Sequence, residues 1–462
     1  MLKRNGGEFS SLKINNYKFQ EFFMRTNKTT KSSRRNFVKT STLLTGGILT
    51  IPPSLKVFSM PKSDTVLKIA LIGCGGRGSG ALVNALQADE NVKLVAMADA
   101  FQDRIDSSLK GINDHFDGEK TIELSKEFQF TGFNAYKKAI DLADVVLLAT
   151  PPGFRPTHFD YAVKQNKHVF MEKPLATDPV GVKRILDSNK EAMNKKLNVV
   201  VGLQRHYSNK YLDLYSRVQD GLIGKIISGQ VYWNSAGVWV YERKEGQSEL
   251  EYQMRNWYYF NWLCGDHIVE QHIHNIDIAN WFIGEHPLTA QGMGGRQVRN
   301  GKDHGEIYDH HFVEFTYPGG AVISSQCRHI PGCMNRVDEV LQGTKGTVFF
   351  GQGLVKDLNG KKIYQYQGSN DPNPYQVEQN ELFKAIRNGN VINDVDYAAH
   401  STLSSIAGRM ATYSGSVIEL KKALALDYQL VPDALDWGST PPVLPDEDGN
   451  YLIAKPGETS YF

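Results

Sequence analysis

The stretch "VLKIALIGCGGRGSGALVNALQ" (66–87) is the feature that most constrains what this chain can fold into. Its first eight residues are aliphatic and β-branched and end in glycine, as in a strand that is buried on both faces. The residues that follow have the spacing of an amphipathic helix. A buried strand, a glycine turn and a helix in direct succession predict the first unit of a parallel α/β sheet.

The turn itself contains the pattern G-x-G-x-x-G. The residues of this turn, all of which we assign to a cofactor, are Gly73, Gly75, Gly76, Arg77 and Gly78. The three pattern glycines permit a tight bend, close approach of a pyrophosphate and close packing of the helix on the strand. A second strand, "VKLVAMAD", ends at Asp99, 21 residues after Gly78. An acid at that point accepts hydrogen bonds from ribose hydroxyls and repels a 2′-phosphate, so the pattern predicts NAD rather than NADP.

More β/α units follow the first two. We expect strands in "ADVVLLATPP" (143–152), "HVFMEKPLA" (168–176) and "LNVVVGLQRHY" (197–207), with a helix in "RPTHFDYAVKQNK". This alternation predicts a doubly wound parallel sheet that binds its ligand at the carboxyl ends of the strands. The residues near those ends that we assign to the cofactor are Thr150, Pro151, His158, Glu172, Lys173 and Gln204.

After about residue 207 the pattern changes to that of an α+β domain with a largely antiparallel sheet. Strands are predicted in "GKIISGQVYWN", "DHHFVEFTYPGG", "AVISSQCRHI" and "DEVLQGTKGTVFF", and helices over about 374–389 and 397–420. The chain therefore divides into a signal region (1–59), an NAD-binding domain (60–206) and an α+β domain for substrate binding and oligomerisation (207–462).

The segment "LCGDHIVEQHIHNIDIANWFIG" (263–284) is predicted to be helical, with one apolar face. Glu270, His274 and Asp277 recur at offsets of four and three and would share the opposite face. Ionisable groups on one helix face are candidates for acid–base chemistry.

The order and spacing of several motifs, from about Leu67 to Leu420, resemble the glucose–fructose oxidoreductase / inositol dehydrogenase / MocA family. These motifs are "GCGGRG", "ATPP", "MEKP", "EQHIHNID", "GTKGT" and "GRMATYSG". The resemblance implies a Rossmann domain followed by an α/β domain whose open sheet often makes oligomer contacts, here a dimer or tetramer. It also implies catalysis by Lys173 and by His274 with Asp277. The chain departs from the family pattern at Glu270, where an Asp is usual, and at His272, where a glycine is usual.

The chemistry of alcohol oxidation agrees with these residues. A hydride leaves carbon while the hydroxyl proton goes to a base, a role that suits His274, and a cation such as Lys173 stabilises the developing alkoxide. Glu270 either orients His274 or binds a sugar hydroxyl.

The segment 239–262 holds eight aromatic residues, which suit stacking on the C–H faces of a sugar or glycoside. A subunit interface or a capped loop explains them equally well. The residues that we assign to substrate binding are Arg255, Asn256, Trp257 and His272.

Charge and composition exclude some partners. Residues 1–60 hold eleven Lys/Arg and two Glu, so the rest of the chain, whose total is +2, carries about −7. A basic surface for nucleic acid is therefore not expected.

The four cysteines form no C-x-x-C pair and are expected to be thiols. The histidines at 267, 272, 274, 310 and 311 match no established zinc spacing, so no metal is expected.

The N-terminal "SRRNFVK" (33–39) precedes the mildly apolar "TSTLLTGGILTI" and resembles a twin-arginine signal. Glycine and proline pairs interrupt the apolar run, so no stable membrane anchor is expected. The alternative is a basic tail without an export role. We expect recognition by the twin-arginine export machinery and a periplasmic or otherwise exported protein.

An exported NAD enzyme meets no external NAD pool, so its cofactor must be bound before export and reoxidised in place. Three hypotheses satisfy this constraint. A sugar is oxidised to a keto-sugar and a second carbonyl compound takes the hydride; or transient oxidation drives elimination in a redox-neutral glycosidase; or the protein is a nucleotide-binding sensor without turnover.

Overall fold

The buried strand before the glycine turn lies in the middle of a six-stranded parallel sheet, in the order β3-β2-β1-β4-β5-β6. The structure is a computed structural model and describes residues 65–118 and 121–461. The predicted signal region (1–59) lies outside the described residues. The strands are β1 (Leu67–Ile72), β2 (Val92–Asp99), β3 (Gln129–Thr131), β4 (Val145–Leu148), β5 (His168–Met171) and β6 (Val199–Val201).

Helices cover both faces of this sheet, as the alternation of strands and helices predicts. They are α1 (Gly76–Ala88), α2 (Gln102–Phe116), α3 (Ala135–Leu142), α4 (Arg155–Lys164) and α5 (Pro179–Asn194). The start of α5 illustrates the local signals. The Asp178 carboxylate accepts a hydrogen bond from Gly181 N (2.7 Å), and Pro179 occupies the first helical position.

The second sheet has nine strands in the order β14-β13-β12-β11-β7-β10-β9-β8-β15. All neighbouring pairs are antiparallel except β7 and β10, so the sheet is mixed but mostly antiparallel. The strands are β7 (Ile226–Ser235), β8 (Thr289–Gly295), β9 (His310–Thr316), β10 (Val322–His329), β11 (Arg336–Gly343), β12 (Gly346–Phe349), β13 (Leu354–Asp357), β14 (Lys362–Gln365) and β15 (Ile418–Glu419).

The helices of this part of the chain pack against elements of both sheets. They are α6 (Asn209–Gln219), α7 (Glu249–Arg255), α8 (Asn261–Cys264), α9 (His267–Glu270), α10 (Ile273–Ile283), α11 (Pro374–Asn388), α12 (Val395–Ser414) and α13 (Leu420–Leu424). Helix α12 is buried along most of its length and packs against both β8 and α5, while α11 packs on α1. The two sheets therefore share one compact unit, Ser63–Phe462.

The predicted fold class is confirmed: a Rossmann-like parallel sheet is followed by a mostly antiparallel one. One helix was predicted wrongly. The segment 263–284 is divided into α8, α9 and α10, so Glu270 and His274 do not share one helix. Asp266, with a left-handed φ of 74°, precedes α9 and caps its start, and Gln271 and His272 separate α9 from α10.

Two further properties bear on the expectations. Among the described residues no helix is both long and apolar enough to span a bilayer. All four cysteines are free thiols, with Cys333 exposed and the other three buried.

Candidate active site

The glycine turn after β1 is tight on its inner side and open on its outer side. Gly73 has a φ of +94°, and a Cβ there would lie 2.5 Å from the backbone of Ala149. A Cβ on Gly78 would lie 2.0 Å from the Gly73 carbonyl oxygen, whereas nothing lies within 4 Å of one on Gly75 or Gly76. The open space at the start of α1 is what a pyrophosphate requires, so the turn fits a dinucleotide.

Asp99 ends β2 beside this turn, as predicted. Its carboxylate accepts hydrogen bonds from Cys74 N (2.7 Å) and Phe101 N (3.0 Å). Burial raises the pKa of Asp99 from its ordinary value, while these hydrogen bonds favour the charged form. The carboxylate is thus held at the edge of the sheet where a ribose would bind.

Arg77 joins the glycine turn to two other elements. Its guanidinium donates to Glu172 Oε1 (2.5 Å) and to Glu378 Oε1 (3.1 Å), and lies over the ring of Tyr375. Gln204 Nε2 donates to the Tyr375 hydroxyl (3.0 Å). The structure therefore brings together three residues assigned to the cofactor and adds Tyr375 and Glu378 of α11, which the sequence analysis missed.

The loop after β4 and the helix α4 that follows it carry three more residues assigned to the cofactor. Thr150 Oγ1 and His158 Nδ1 share a hydrogen bond (3.3 Å), and Pro151 follows Thr150 at the end of the strand. Burial lowers the pKa of His158 to about 3, so its ring is neutral near pH 7. Because β4 neighbours β1, this loop lies beside the glycine turn.

Lys173 and Glu270 connect the two sheets. Lys173 follows β5, and its Nζ donates to Glu270 Oε1 (2.9 Å) and to the Glu270 carbonyl oxygen (2.6 Å). The side chains are 12% and 14% exposed, so the ion pair is largely shielded but reachable from the cleft. An ammonium has three N–H groups, and two of them are used here.

His274, in the first turn of α10, is 6% exposed, and its Nδ1 has no hydrogen-bond partner among the described residues. Its ring stacks near Trp233, with centroids 5.9 Å apart. Burial lowers the pKa of His274 well below its ordinary value, and the nearby charges of Lys173, Arg205 and Arg77 lower it further. The imidazole is therefore neutral near pH 7.

Asp277, predicted to be catalytic with His274, has other partners. Its carboxylate bonds to His206 Nε2 (2.8 Å) and accepts from Ser401 Oγ (2.8 Å), and the residue is 2% exposed. The ring of His206 lies between Trp281 and Tyr397. In this structure Asp277 therefore contacts His206 and Ser401 rather than His274, and its catalytic role stays a prediction. Glu270 likewise holds Lys173 rather than His274.

The residues assigned to substrate binding are mostly engaged elsewhere. Asn256 is fully buried and bonds to Tyr241 N, the Tyr252 hydroxyl and the Asp303 carbonyl oxygen. Because Asn256 is fully buried and both of its N–H groups are donated within the protein, it does not reach a ligand, and its assignment to substrate binding is corrected.

His272 is also fully buried and bonds to Ser325 Oγ (2.7 Å) on β10, which corrects its assignment to the cleft. Arg255 donates to Asp103 Oδ2 (2.7 Å) and lies 3.7 Å from the ring centre of Phe101, beside the Rossmann sheet. Trp257 is half-buried against Trp239 and remains a candidate for the substrate wall.

One group of side chains has the composition of a metal site. Ligand atoms of Asp266, His267 and His311 lie within 4.8 Å of one another, and all three residues are buried. The Asp266 carboxylate already accepts hydrogen bonds from His267 N, Tyr308 N and the Tyr413 hydroxyl. A metal would have to compete with these donors for the carboxylate.

Comparison with known proteins shows the family of this chain. Residues 67–201 match the model described as "Oxidoreductase family, NAD-binding Rossmann fold", and residues 211–349 match the "GFO/IDH/MocA C-terminal domain". The first domain is therefore an NAD-binding Rossmann fold. The chain belongs to the Gfo/Idh/MocA oxidoreductase family, as the motifs predicted.

The curated relatives described here share about a quarter of their aligned residues with this chain. A glycosyl hydrolase family 109 protein of Shewanella pealeana is 27% identical over 49% of this chain and 50% of its own. An inositol 2-dehydrogenase/D-chiro-inositol 3-dehydrogenase of Lactiplantibacillus plantarum is 23% identical over 51% of this chain and 57% of its own. The chain thus spans about half the length of the curated relatives it matches.

A solved structure shows the same fold. Scyllo-inositol dehydrogenase from Lactobacillus casei, with bound NAD(H) and scyllo-inositol, has a TM-score of 0.59 and 18% identity, covering 77% of this chain and 100% of that one.

Proposed function

We propose that the protein is an NAD-dependent oxidoreductase that transfers a hydride to or from a secondary hydroxyl carbon of a sugar or glycoside. The observation that carries this proposal is the position of Lys173: one N–H remains beyond the two donated to Glu270, and the neutral His274 lies nearby. Lys173 follows β5 at the carboxyl end of the sheet that holds the glycine turn, and its charge is close enough to His274 to lower the pKa of the imidazole. The names of the relatives, which act on inositols and glycosides, support the substrate class.

The residues divide the chemistry between them. His274 accepts the proton of the substrate hydroxyl, and the third N–H of Lys173 donates to the same oxygen as negative charge develops there. Glu270 fixes Lys173 from two sides, so the ammonium is already oriented when the substrate arrives. NAD, held by the glycine turn and Asp99, supplies the hydride acceptor. In the reverse reaction His274 returns the proton to the carbonyl oxygen.

A second candidate is a redox-neutral glycosidase. Oxidation of one sugar carbon acidifies the neighbouring C–H, elimination releases the glycosidic group, water adds, and the hydride returns to the same molecule. The similarity to a glycosyl hydrolase family 109 protein favours this candidate. It requires the same Lys173 and His274, because its first step is the same oxidation.

One experiment separates these functions. Protein purified without added cofactor is mixed with a panel of glycosides, while the near-ultraviolet absorbance of reduced nicotinamide and the released products are followed. A stoichiometric rise that decays only when a keto-sugar is supplied indicates a dehydrogenase with a separate acceptor. Continuous release of free sugar without a net rise indicates the glycosidase. Protein that holds NAD but gives neither signal contradicts both and favours a sensor.

Export with bound NAD is part of the proposal. It is supported by the S-R-R-x-F-x-K pattern at 33–39. Replacing Arg34 and Arg35 together with Lys should retain the protein in the cytoplasm without changing its NAD content. Export of that double variant at the wild-type level would contradict the twin-arginine route.

A homo-oligomer is also proposed, through the open face of the nine-stranded sheet. The alternating burial along β9 and β10 leaves one face partly exposed, and Met293 on β8 is 71% exposed. Light scattering of the purified protein measures the mass: a dimer or tetramer supports this interface, and a monomer contradicts it.

A further inference from the structure

The edge of the Rossmann sheet next to Asp99 is bordered by aromatic rings. Phe101 follows Asp99 by two residues, and Gly132 N donates to the Asp99 carbonyl oxygen (3.0 Å), which brings the loop after β3 to the same edge. Phe133, the next residue of that loop, and Phe101 are both half-buried. The ribose of a dinucleotide binds at Asp99, so its adenine extends along this edge.

A tryptophan from the far end of the chain packs on these rings. Trp437 lies with its ring centroid 5.2 Å from that of Phe101 and 4.8 Å from that of Phe133. It is 41% exposed, so part of the indole remains free for another contact. Trp437 belongs to the segment 425–461, which follows α13 and contains neither helix nor strand.

This C-terminal segment is attached on both sides of Trp437. Before it, Leu430 N donates to Asp178 Oδ2 (2.8 Å) at the start of α5. After it, Gln253 Nε2 donates to the Val443 carbonyl oxygen (2.7 Å), and the Tyr451 hydroxyl donates to Glu249 Oε1 (2.6 Å). The indole is therefore held in place by bonds to both parts of the molecule.

The aromatic segment 239–262 reaches the same edge. The Arg255 guanidinium lies over the Phe101 ring and donates to Asp103 Oδ2, in the first turn of α2. Phe101, Phe133, Leu430, Leu435 and Val443 all pack against one apolar cluster built mainly from this segment. Two segments outside the Rossmann sheet thus converge on its adenosine edge.

We propose that Trp437 and Phe101 form an aromatic wall for the adenine of bound NAD, and that the segment 425–461 thereby retains the cofactor. This rests on the proposed function as an NAD enzyme. Adenine stacks well on aromatic faces, and a ring supplied by a segment anchored at both ends slows dissociation because the segment must move first. Retention of this kind is what an enzyme separated from the cytoplasmic NAD pool requires.

The test compares Trp437→Ala with Leu452→Ala, a control in the same segment whose side chain is 81% exposed. Bound NAD is measured after purification and dialysis. The rate of NAD release is measured by adding an excess of a second, cofactor-free NAD-binding protein that captures each NAD molecule as it dissociates. Trp437→Ala should release NAD roughly 5- to 150-fold faster, the usual effect of removing one base–aromatic stack, and Trp437→Phe should recover most of the difference. Leu452→Ala should match the wild type.

A second measurement assigns the effect to the adenine. Affinity of the cofactor-free proteins for adenosine monophosphate should fall in Trp437→Ala, while affinity for nicotinamide mononucleotide should stay unchanged. Equal retention of NAD by Trp437→Ala and the wild type would overturn the wall, as would equal weakening of both mononucleotides. Wild-type protein that neither retains nor binds NAD would instead refute the proposed function, and the inference with it.

Discussion

The glycine turn and the Lys173–Glu270 junction perform neighbouring tasks but are built in opposite ways. The turn consists of residues within six positions of one another, and its working feature is space: nothing lies within 4 Å of an added Cβ on Gly75 or Gly76. The junction joins residues 97 positions apart, and its working feature is contact, since the Lys173 ammonium is held by two bonds to Glu270.

This difference predicts which kind of substitution disrupts the glycine turn and which kind disrupts the Lys173–Glu270 junction. A site made of empty space fails when atoms are added, and a site made of bonded charges fails when atoms are removed. Substitutions that add to the turn and subtract from the junction should therefore separate cofactor binding from turnover.

The largest effect is expected from Lys173→Met, which removes the ammonium from the junction. We expect kcat to fall about 10²- to 10⁴-fold, the usual contribution of a positioned acid–base or charge-stabilising group. Retention of NAD at the wild-type level is expected for a residue that acts on the substrate, because the glycine turn and Asp99 are untouched, whereas loss of NAD would support the assignment of Lys173 to the cofactor. Single-turnover absorbance at the nicotinamide band measures the first quantity and extraction of bound nucleotide the second. Full activity in this variant would refute the assignment of Lys173.

His274→Ala tests the other member of the pair. It should also reduce turnover by about two orders of magnitude or more while sparing NAD binding. His274→Ala that turns over at the wild-type rate would contradict its role as the base and leave Lys173 as the remaining candidate.

The next effect is at the turn, where Gly78→Ala adds a Cβ only 2.0 Å from the Gly73 carbonyl oxygen. We expect a loss of about 1–3 kcal/mol in stability from overpacking and a matching loss of bound NAD. The control is Gly80→Ala in the same helix, where the nearest atom is 3.6 Å away and the added methyl should be neutral or stabilising. Equal NAD content and melting temperature in the two variants would show that the close approach at Gly78 is not required.

The contrast between a turn built from neighbouring residues and a junction built from distant ones also explains how much could be predicted from the sequence. The β/α units, the glycine turn and Asp99 are local patterns, and their positions were predicted correctly because strand, turn and helix signals lie within a few residues of each other. The first interruption of the helix in 263–284 has local signals that were overlooked, because Gly265 ends α8 in a left-handed conformation and Asp266 caps the start of α9. Nothing local distinguishes the break between Glu270 and Ile273 from an ordinary helical turn.

The contacts that complete the site could not be read from any local pattern. Tyr375 and Glu378 meet Arg77 across about 300 residues, and Trp437 reaches Phe101 from the end of the chain. Conversely, His272 and Asn256 have side chains that suit a sugar site but are consumed by hydrogen bonds in the interior. Residue type was informative about chemistry, and only the tertiary fold decided which side chains face the cleft.

A smaller effect is expected from Glu270→Gln, which removes the negative charge beside Lys173 but leaves the ammonium in place. The amide oxygen and the backbone carbonyl still accept from Lys173, but the charge-assisted bond is lost, which is worth about 1.5–3 kcal/mol. We expect kcat to fall roughly tenfold, less than in Lys173→Met, with unchanged NAD content. A loss as large as that of Lys173→Met would mean that Glu270 itself contacts the reacting atoms.

The smallest effect concerns the pH dependence of stability. It arises at the buried His272, two residues after Glu270, and not at the Lys173–Glu270 ion pair. Burial lowers the pKa of His272 to about 3, against an ordinary value of 6.5, so the folded state binds fewer protons than the unfolded state between these two values. Stability contributed by the neutral ring is therefore complete above pH 6.5 and is lost as the pH falls toward 3, by about 1.4 kcal/mol per pH unit.

His272→Gln, which can still bond to Ser325, should reduce the loss of unfolding free energy between pH 6.5 and 5.5 by about 1 kcal/mol. Urea denaturation at the two pH values measures it, and the same substitution at the exposed His115 is the control for loss of an imidazole. An unchanged pH dependence in His272→Gln would mean that the ring takes up a proton as readily in the folded state as in the unfolded state. The break between α9 and α10, where His272 lies, would then gain a positive charge as the pH falls below 6.5, in addition to the charges of Lys173, Arg205 and Arg77 that already act on His274.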